Sequence, residues 1–157
     1  MHAIIIDGSN AVQQLMGDES GIKRKYLPEL EKKRSTYFLH CLMRWAFRSR
    51  AGELFRVFFD GYYREIVPRK QRCMLGVQFS QRTPADNLIV EEVHACVNSG
   101  KCERVTVVTA DRMLGDMVRA IGAEVMSPLA LEIAIITSGI DLHRFDGAFT
   151  AINFGYV

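Results

Sequence analysis

Three short runs, Ala3–Ile6, Leu54–Phe59 and Val105–Val108, are rich in Ile, Val and Phe with few polar interruptions. Such runs predict strands buried on both faces, the pattern of a parallel sheet. Met74–Phe79 and Glu124–Met126 predict two weaker strands. Longer segments with helical spacing lie between them. Pro28–Ala51 is the longest, with Pro in the first turn and Glu29 and Glu31 at its positive end. Phe38, Cys41, Leu42, Trp45 and Ala46 make its stripe, and Leu39, Met43 and Phe47 widen it, so burial on more than one side is expected. Thr83–Asn98 predicts a second helix, capped by Thr83 and opened by Pro84. Arg112–Ile121 predicts a third, stopped by Gly122. Ser127 caps a fourth, opened by Pro128 and closed near Gly139. Gly17–Leu27 reads as a polar loop, and residues 140–157 show no clear period.

Alternation of strand and helix implies parallel strands joined by right-handed crossovers. The expected fold is α/β: a three-layer sandwich around a central, mostly parallel sheet of about five strands. No repeat, linker or low-complexity tract divides the chain, so residues 1–157 are read as one domain. No run spans a bilayer, and Met1–Asp7 is too short for a secretion signal. Cys41, Cys73, Cys96 and Cys102 fit no zinc or redox spacing. They read as reduced, buried thiols, which predicts a cytoplasmic protein.

The strand ends carry the candidate chemistry, because ligands of open parallel sheets bind beyond the carboxyl ends of the strands. The first strand ends Asp7-Gly8-Ser9-Asn10, the second Asp60-Gly61, and the fourth Thr109-Ala110-Asp111. The third leads through Thr83-Pro84-Ala85-Asp86 into a helix start. Each acid alone has an ordinary reading. Asp86 can close a capping box with Thr83, Asp111 can cap the helix after it, and Asp7-Gly8 and Asp60-Gly61 can be turn dipeptides. Together they place four carboxylates on one sheet edge. Neighbouring strands lie about 4.8 Å apart, so such acids repel unless a cation neutralises them. Mg²⁺ or Mn²⁺ suits an all-oxygen set and can activate water against a phosphodiester. The four histidines are scattered and read as packing or surface residues. No dinucleotide or Walker glycine pattern is present, so no nucleotide cofactor is expected. Haloacid-dehalogenase-type and receiver-like sites would want another acid near Asp7, where the chain has Ser9.

These motifs, in this order and followed by Gly122-Ala123-Glu124-Val125-Met126-Ser127, resemble the NYN domain of the YacP-like branch, a relative of PIN nucleases. The resemblance runs from Ala3 to about Leu131. It implies strand order 3-2-1-4-5 and a Mg²⁺- or Mn²⁺-dependent endoribonuclease. Asp7, Asp86 and Asp111 would bind metal, with Asp60 an additional acid beside them. Asn10 would hold the first acid or a water, and Thr109 would support the third. Two positions depart from the family pattern: Ser9 stands where Tyr is common, and Asn87 where a second acid often follows Asp86. Asn87 keeps open an inactive RNA- or ribosome-binding module.

The net charge of +2 hides an asymmetry, with 15 basic and 8 acidic residues before Asp86 and 5 and 10 from there on. Arg64, Arg69, Lys70, Arg72 and Arg82 lie between the second strand and the Asp86 helix, where they would bind RNA phosphates. Tyr62 and Tyr63 would stack on unpaired bases. The runs Lys23-Arg24-Lys25 and Lys32-Lys33-Arg34 are a second basic surface or a solvated face.

Overall fold

The computed structural model describes residues 1–17, 21–49, 52–66 and 75–143. Five strands form one sheet: β1 His2–Asp7, β2 Leu54–Phe59, β3 Leu75–Phe79, β4 Arg104–Val108 and β5 Glu124–Met126. All four pairings are parallel, and the order is β3-β2-β1-β4-β5. Among the described residues, α1 Gly8–Met16 and α2 Leu27–Ser49 lie between β1 and β2, α3 Ala85–Asn98 between β3 and β4, α4 Arg112–Ile121 between β4 and β5, and α5 Pro128–Thr137 follows β5.

The alternation within β1 sorts the layers. Ile4 and Ile6 point to one side, where they join Phe55, Val57 and Phe59 of β2 under α1, α2 and α5. Ala3 and Ile5 point to the other, with Phe58, Val105 and Val107 under α3 and α4. A central strand covered on both faces must be apolar throughout, which is why β1 has no alternation to read. Trp45 of α2 meets Phe55 edge-on, at a centroid distance of 5.8 Å.

Several sequence expectations need correction. α1 has no counterpart among them: it begins directly at Asp7-Gly8, which reads as a turn dipeptide. Gly8 is required there by packing, since a Cβ would lie 2.8 Å from the Phe59 ring and 2.9 Å from Val57 Cγ1. The Gly17–Leu27 stretch holds a short 3-10 turn, Arg24–Tyr26, and α2 starts at Leu27. Phe47, expected in the α2 core, is half exposed, and Arg34, read as part of a solvated face, is buried. Thr83 does not cap α3. The helix starts at Ala85 after Pro84, and the Thr83 hydroxyl donates to Ser80 O. The α4 stop at Gly122, with φ +116°, and the Ser127 cap of α5 are as expected.

Candidate active site

β1 runs at the middle of the sheet, with Asp7 opposite Phe58 of β2 and Ile6 opposite Val108 of β4. Asp7, Asp60 and Asp111 therefore emerge from three adjacent strands at the same edge. Asp7 is buried, at 5% exposure. It stands at the N-cap of α1 without capping it. Its Oδ2 instead accepts from Thr109 Oγ1 at 3.1 Å. Burial raises its pKa to about 6, and the charges of Asp86 and Asp60 push the same way, against the Thr109 bond and the nearby Asn10 amide.

Thr109 joins two acids. While its hydroxyl donates to Asp7, the same oxygen accepts from Asp111 N at 3.1 Å. Its own amide donates to Met126 O. Asn10 Oδ1 accepts from Ala110 N at 2.8 Å and so ties α1 to the β4–α4 turn. Asp111 caps α4, with Oδ1 accepting from Leu114 N, so the capping reading of this acid holds and uses one of its two oxygens.

Asp60 is exposed, yet three of its atoms are held. Its amide donates to Ser9 Oγ at 2.9 Å, its carbonyl accepts from Arg64 Nη1 at 3.0 Å, and Oδ1 accepts from Ala85 N at 2.8 Å. Asp86, next to Ala85, is half buried. Burial raises its pKa, and the charges of Asp111 and Asp60 add to the rise. Among the described residues, the charges that raise the pKa of Asp7 and Asp86 are those of other carboxylates. An all-oxygen set of like charges fits Mg²⁺ or Mn²⁺. Among the described residues no three His, Cys, Asp or Glu side chains close into a ready-made cage. Two of the four acids have an oxygen engaged at a helix N-terminus.

Of the expected RNA-facing residues, Tyr62 and Tyr63 are 61% and 71% exposed. Tyr63 sits edge-on to Phe79. Arg82 Nε donates to the Tyr62 hydroxyl at 3.3 Å and is otherwise open to solvent. Arg64 turns inward: its guanidinium donates to Asp60 O and Tyr62 O and lies 5.0 Å from the Phe79 ring centroid. Arg69, Lys70 and Arg72 lie outside the described residues. Lys23, Arg24 and Lys25 are exposed. The histidines behave as expected. His2 bonds Thr106 and Glu53, His40 is buried in α2, His143 bonds Glu132, and His94 is exposed.

Ser9 is the residue that sequence reasoning missed. It reads as a departure from the family pattern, and it accepts the Asp60 amide 51 residues away. No local signal marks such a partner.

The fold is similar to two crystal structures of Rae1 (YacP) from Bacillus subtilis. The W164L mutant is 18% identical with a TM-score of 0.66, over 87% of this chain and 76% of that one. A second structure is 17% identical with a TM-score of 0.62, over 87% and 75%. No curated protein gives a significant match. The family described as the YacP-like NYN domain matches residues 4–144, nearly the whole chain. With that match and this sheet order, the chain belongs to the YacP-like NYN domain family, a family of PIN-like nucleases.

Proposed function

We propose that this protein is a divalent-metal-dependent endoribonuclease acting on single-stranded RNA. The observation that carries the reading is the edge of four carboxylates at the ends of β1, β2 and β4 and the start of α3, where the charges of Asp86 and Asp60 act on Asp7 and those of Asp111 and Asp60 on Asp86. Asp7, Asp86 and Asp111 would hold Mg²⁺ or Mn²⁺, with Asp60 beside them. Such a cation supplies charge neutralisation at the phosphodiester and a more acidic water. Thr109 orients Asp7 and Asp111 together, and Asn10 fixes the turn that carries Asp111. Tyr62 and Tyr63 present open rings to bases, and Arg82 stands beside them for a phosphate. Arg69, Lys70 and Arg72 would extend that path. Arg64 serves it by shaping the Asp60–Tyr63 turn. RNA, in a ribosomal context or free, is the expected partner, in the cytoplasm. No described helix is long and apolar enough to cross a membrane.

Incubation of single-stranded RNA with the protein and Mn²⁺ tests this. Asp7→Asn is expected to lower cleavage by about 100-fold or more, above the loss typical of an outer-shell partner, and EDTA to abolish it. Cleavage that survives both sinks the proposal. A second reading, a non-catalytic RNA-binding module, is favoured by Asn87 and by the open arrangement of the acids. It requires salt-sensitive RNA binding that EDTA leaves intact, with no cleavage.

A further inference from the structure

We infer that Asp60 is a positioning residue that caps α3 from outside the helix and thereby sets Asp86, rather than a ligand of the cation. The inference rests on the nuclease reading of the acid edge. α3 begins Pro84-Ala85-Asp86, and Pro84, its N-cap, has no side-chain acceptor to offer. Thr83, the nearest hydroxyl, is turned to Ser80 O. A helix start with no local cap leaves amides unpaired. Asp60 Oδ1 takes one of them, that of buried Ala85, at 2.8 Å across 25 residues of chain. A carboxylate there is also favoured by the positive end of the helix.

The rest of Asp60 is built for holding still. Its amide is fixed by Ser9 and its carbonyl by Arg64. Arg64 is itself seated against Phe79. The turn is pinned to the end of β3, where Ser80 N donates to Phe59 O and Gln81 N to Gly61 O. Gly61, with φ +85°, allows the bend. Through Ser9 and Ala85, Asp60 bridges the first turns of α1 and α3, the two helices that follow Asp7 and carry Asp86. Its carboxylate acts through the α3 backbone, so an uncharged acceptor of the same shape should suffice.

Asp60→Asn and Asp60→Ala separate the two roles in the full chain, with three readouts: amide hydrogen exchange at Ala85, the Mn²⁺ concentration giving half-maximal activity, and the cleavage rate. Asp60→Asn is expected to keep exchange at Ala85 within about threefold of the parent protein and to change the Mn²⁺ requirement far less than Asp60→Ala. Asp60→Ala is expected to speed exchange at Ala85 by about tenfold, the scale of a lost helix cap. It should also raise the Mn²⁺ requirement and slow cleavage by a similar factor. If Asp60→Asn raises the Mn²⁺ requirement as much as Asp60→Ala while Ala85 stays protected, Asp60 is a ligand and the inference is wrong. If Ala85 exchange is unchanged in both variants, it is equally wrong. Should Asp60→Ala fail to fold, Asp60→Asn still decides: a ligand that loses its negative charge raises the Mn²⁺ requirement well beyond about threefold, whereas the amide oxygen keeps the cap. A parent protein that never cleaves RNA removes the nuclease reading, whereas the exchange of Ala85 still tests the cap.

Discussion

Asp7→Asn is expected to make the metal-free protein more stable at neutral pH while removing the proposed RNA cleavage. Asp7 is 5% exposed and titrates near 6 instead of 3.8. In the unfolded chain it ionises near 3.8, so between pH 3.8 and 6 the folded state binds more protons. Stability then falls as pH rises through that window, and above pH 6 the whole cost is present. At 1.36 kcal/mol for each pH unit of displacement the cost reaches about 3 kcal/mol. Asn preserves an acceptor for Thr109 Oγ1 and removes the charge, though it accepts less strongly than a carboxylate, so a net gain of about 1–3 kcal/mol is expected. His40 adds an opposing slope. Burial first, and Arg44 second, hold its pKa near 4, so stability is lost as pH falls from 6.5 through 4. That term is common to both proteins and cancels in their difference. Urea unfolding in EDTA at pH 4, 5, 6 and 7.5 reads the effect. The difference should be near zero at pH 4 and reach its full value by pH 7. Saturating Mn²⁺ should then stabilise the parent protein by about 2.7 kcal/mol at 100 times Kd and leave Asp7→Asn behind. A pH-independent difference, or a variant less stable at pH 7.5 than the parent in EDTA, would refute the argument.

Thr109→Val removes the hydroxyl that serves both Asp7 and Asp111. It should cost about 1–3 kcal/mol in urea unfolding and lower cleavage by about 10- to 100-fold, whereas Thr109→Ser should recover most of both. Gly8→Ala forces a methyl against Phe59 and Val57 and should lower stability by about 1–3 kcal/mol by chemical denaturation. His40→Gln should flatten the acid limb of the stability curve between pH 6.5 and 4, and an unchanged limb would remove His40 as its cause. Tyr62→Ala with Tyr63→Ala should weaken single-stranded RNA binding by about 1–3 kcal/mol per stacked base in a titration at fixed salt. Both rings are largely exposed, so the melting temperature should barely move.

Local burial was the legible part of this chain. Ala3–Ile6, Leu54–Phe59 and Val105–Val108 declare themselves as strands, because a strand covered by helices on both faces can be nothing but apolar. Gly122 and Ser127 mark helix ends through chemistry confined to one turn. The same locality placed Asp7, Asp60 and Asp111 at strand ends and Asp86 at a helix start. α1 escaped because Asp7-Gly8 has the composition of a turn, while Gly8 is there to let a helix approach β2.

Tertiary structure alone decided how the acids are held. Thr109 meets Asp7 across 102 residues, Ala110 meets Asn10 across 100, and Asp60 meets Ser9 across 51. No spacing rule encodes such partners, since they exist only after β1 is flanked by β2 and β4. The same assembly turned Arg64 from a surface cation into a brace for the Asp60 turn, and gave α3 a cap that its own sequence lacks. Hydrophobic period is a property of neighbours in sequence and can be read in one dimension. Hydrogen-bond satisfaction at a sheet edge is a property of neighbours in space, and it is settled only when the strands take their order.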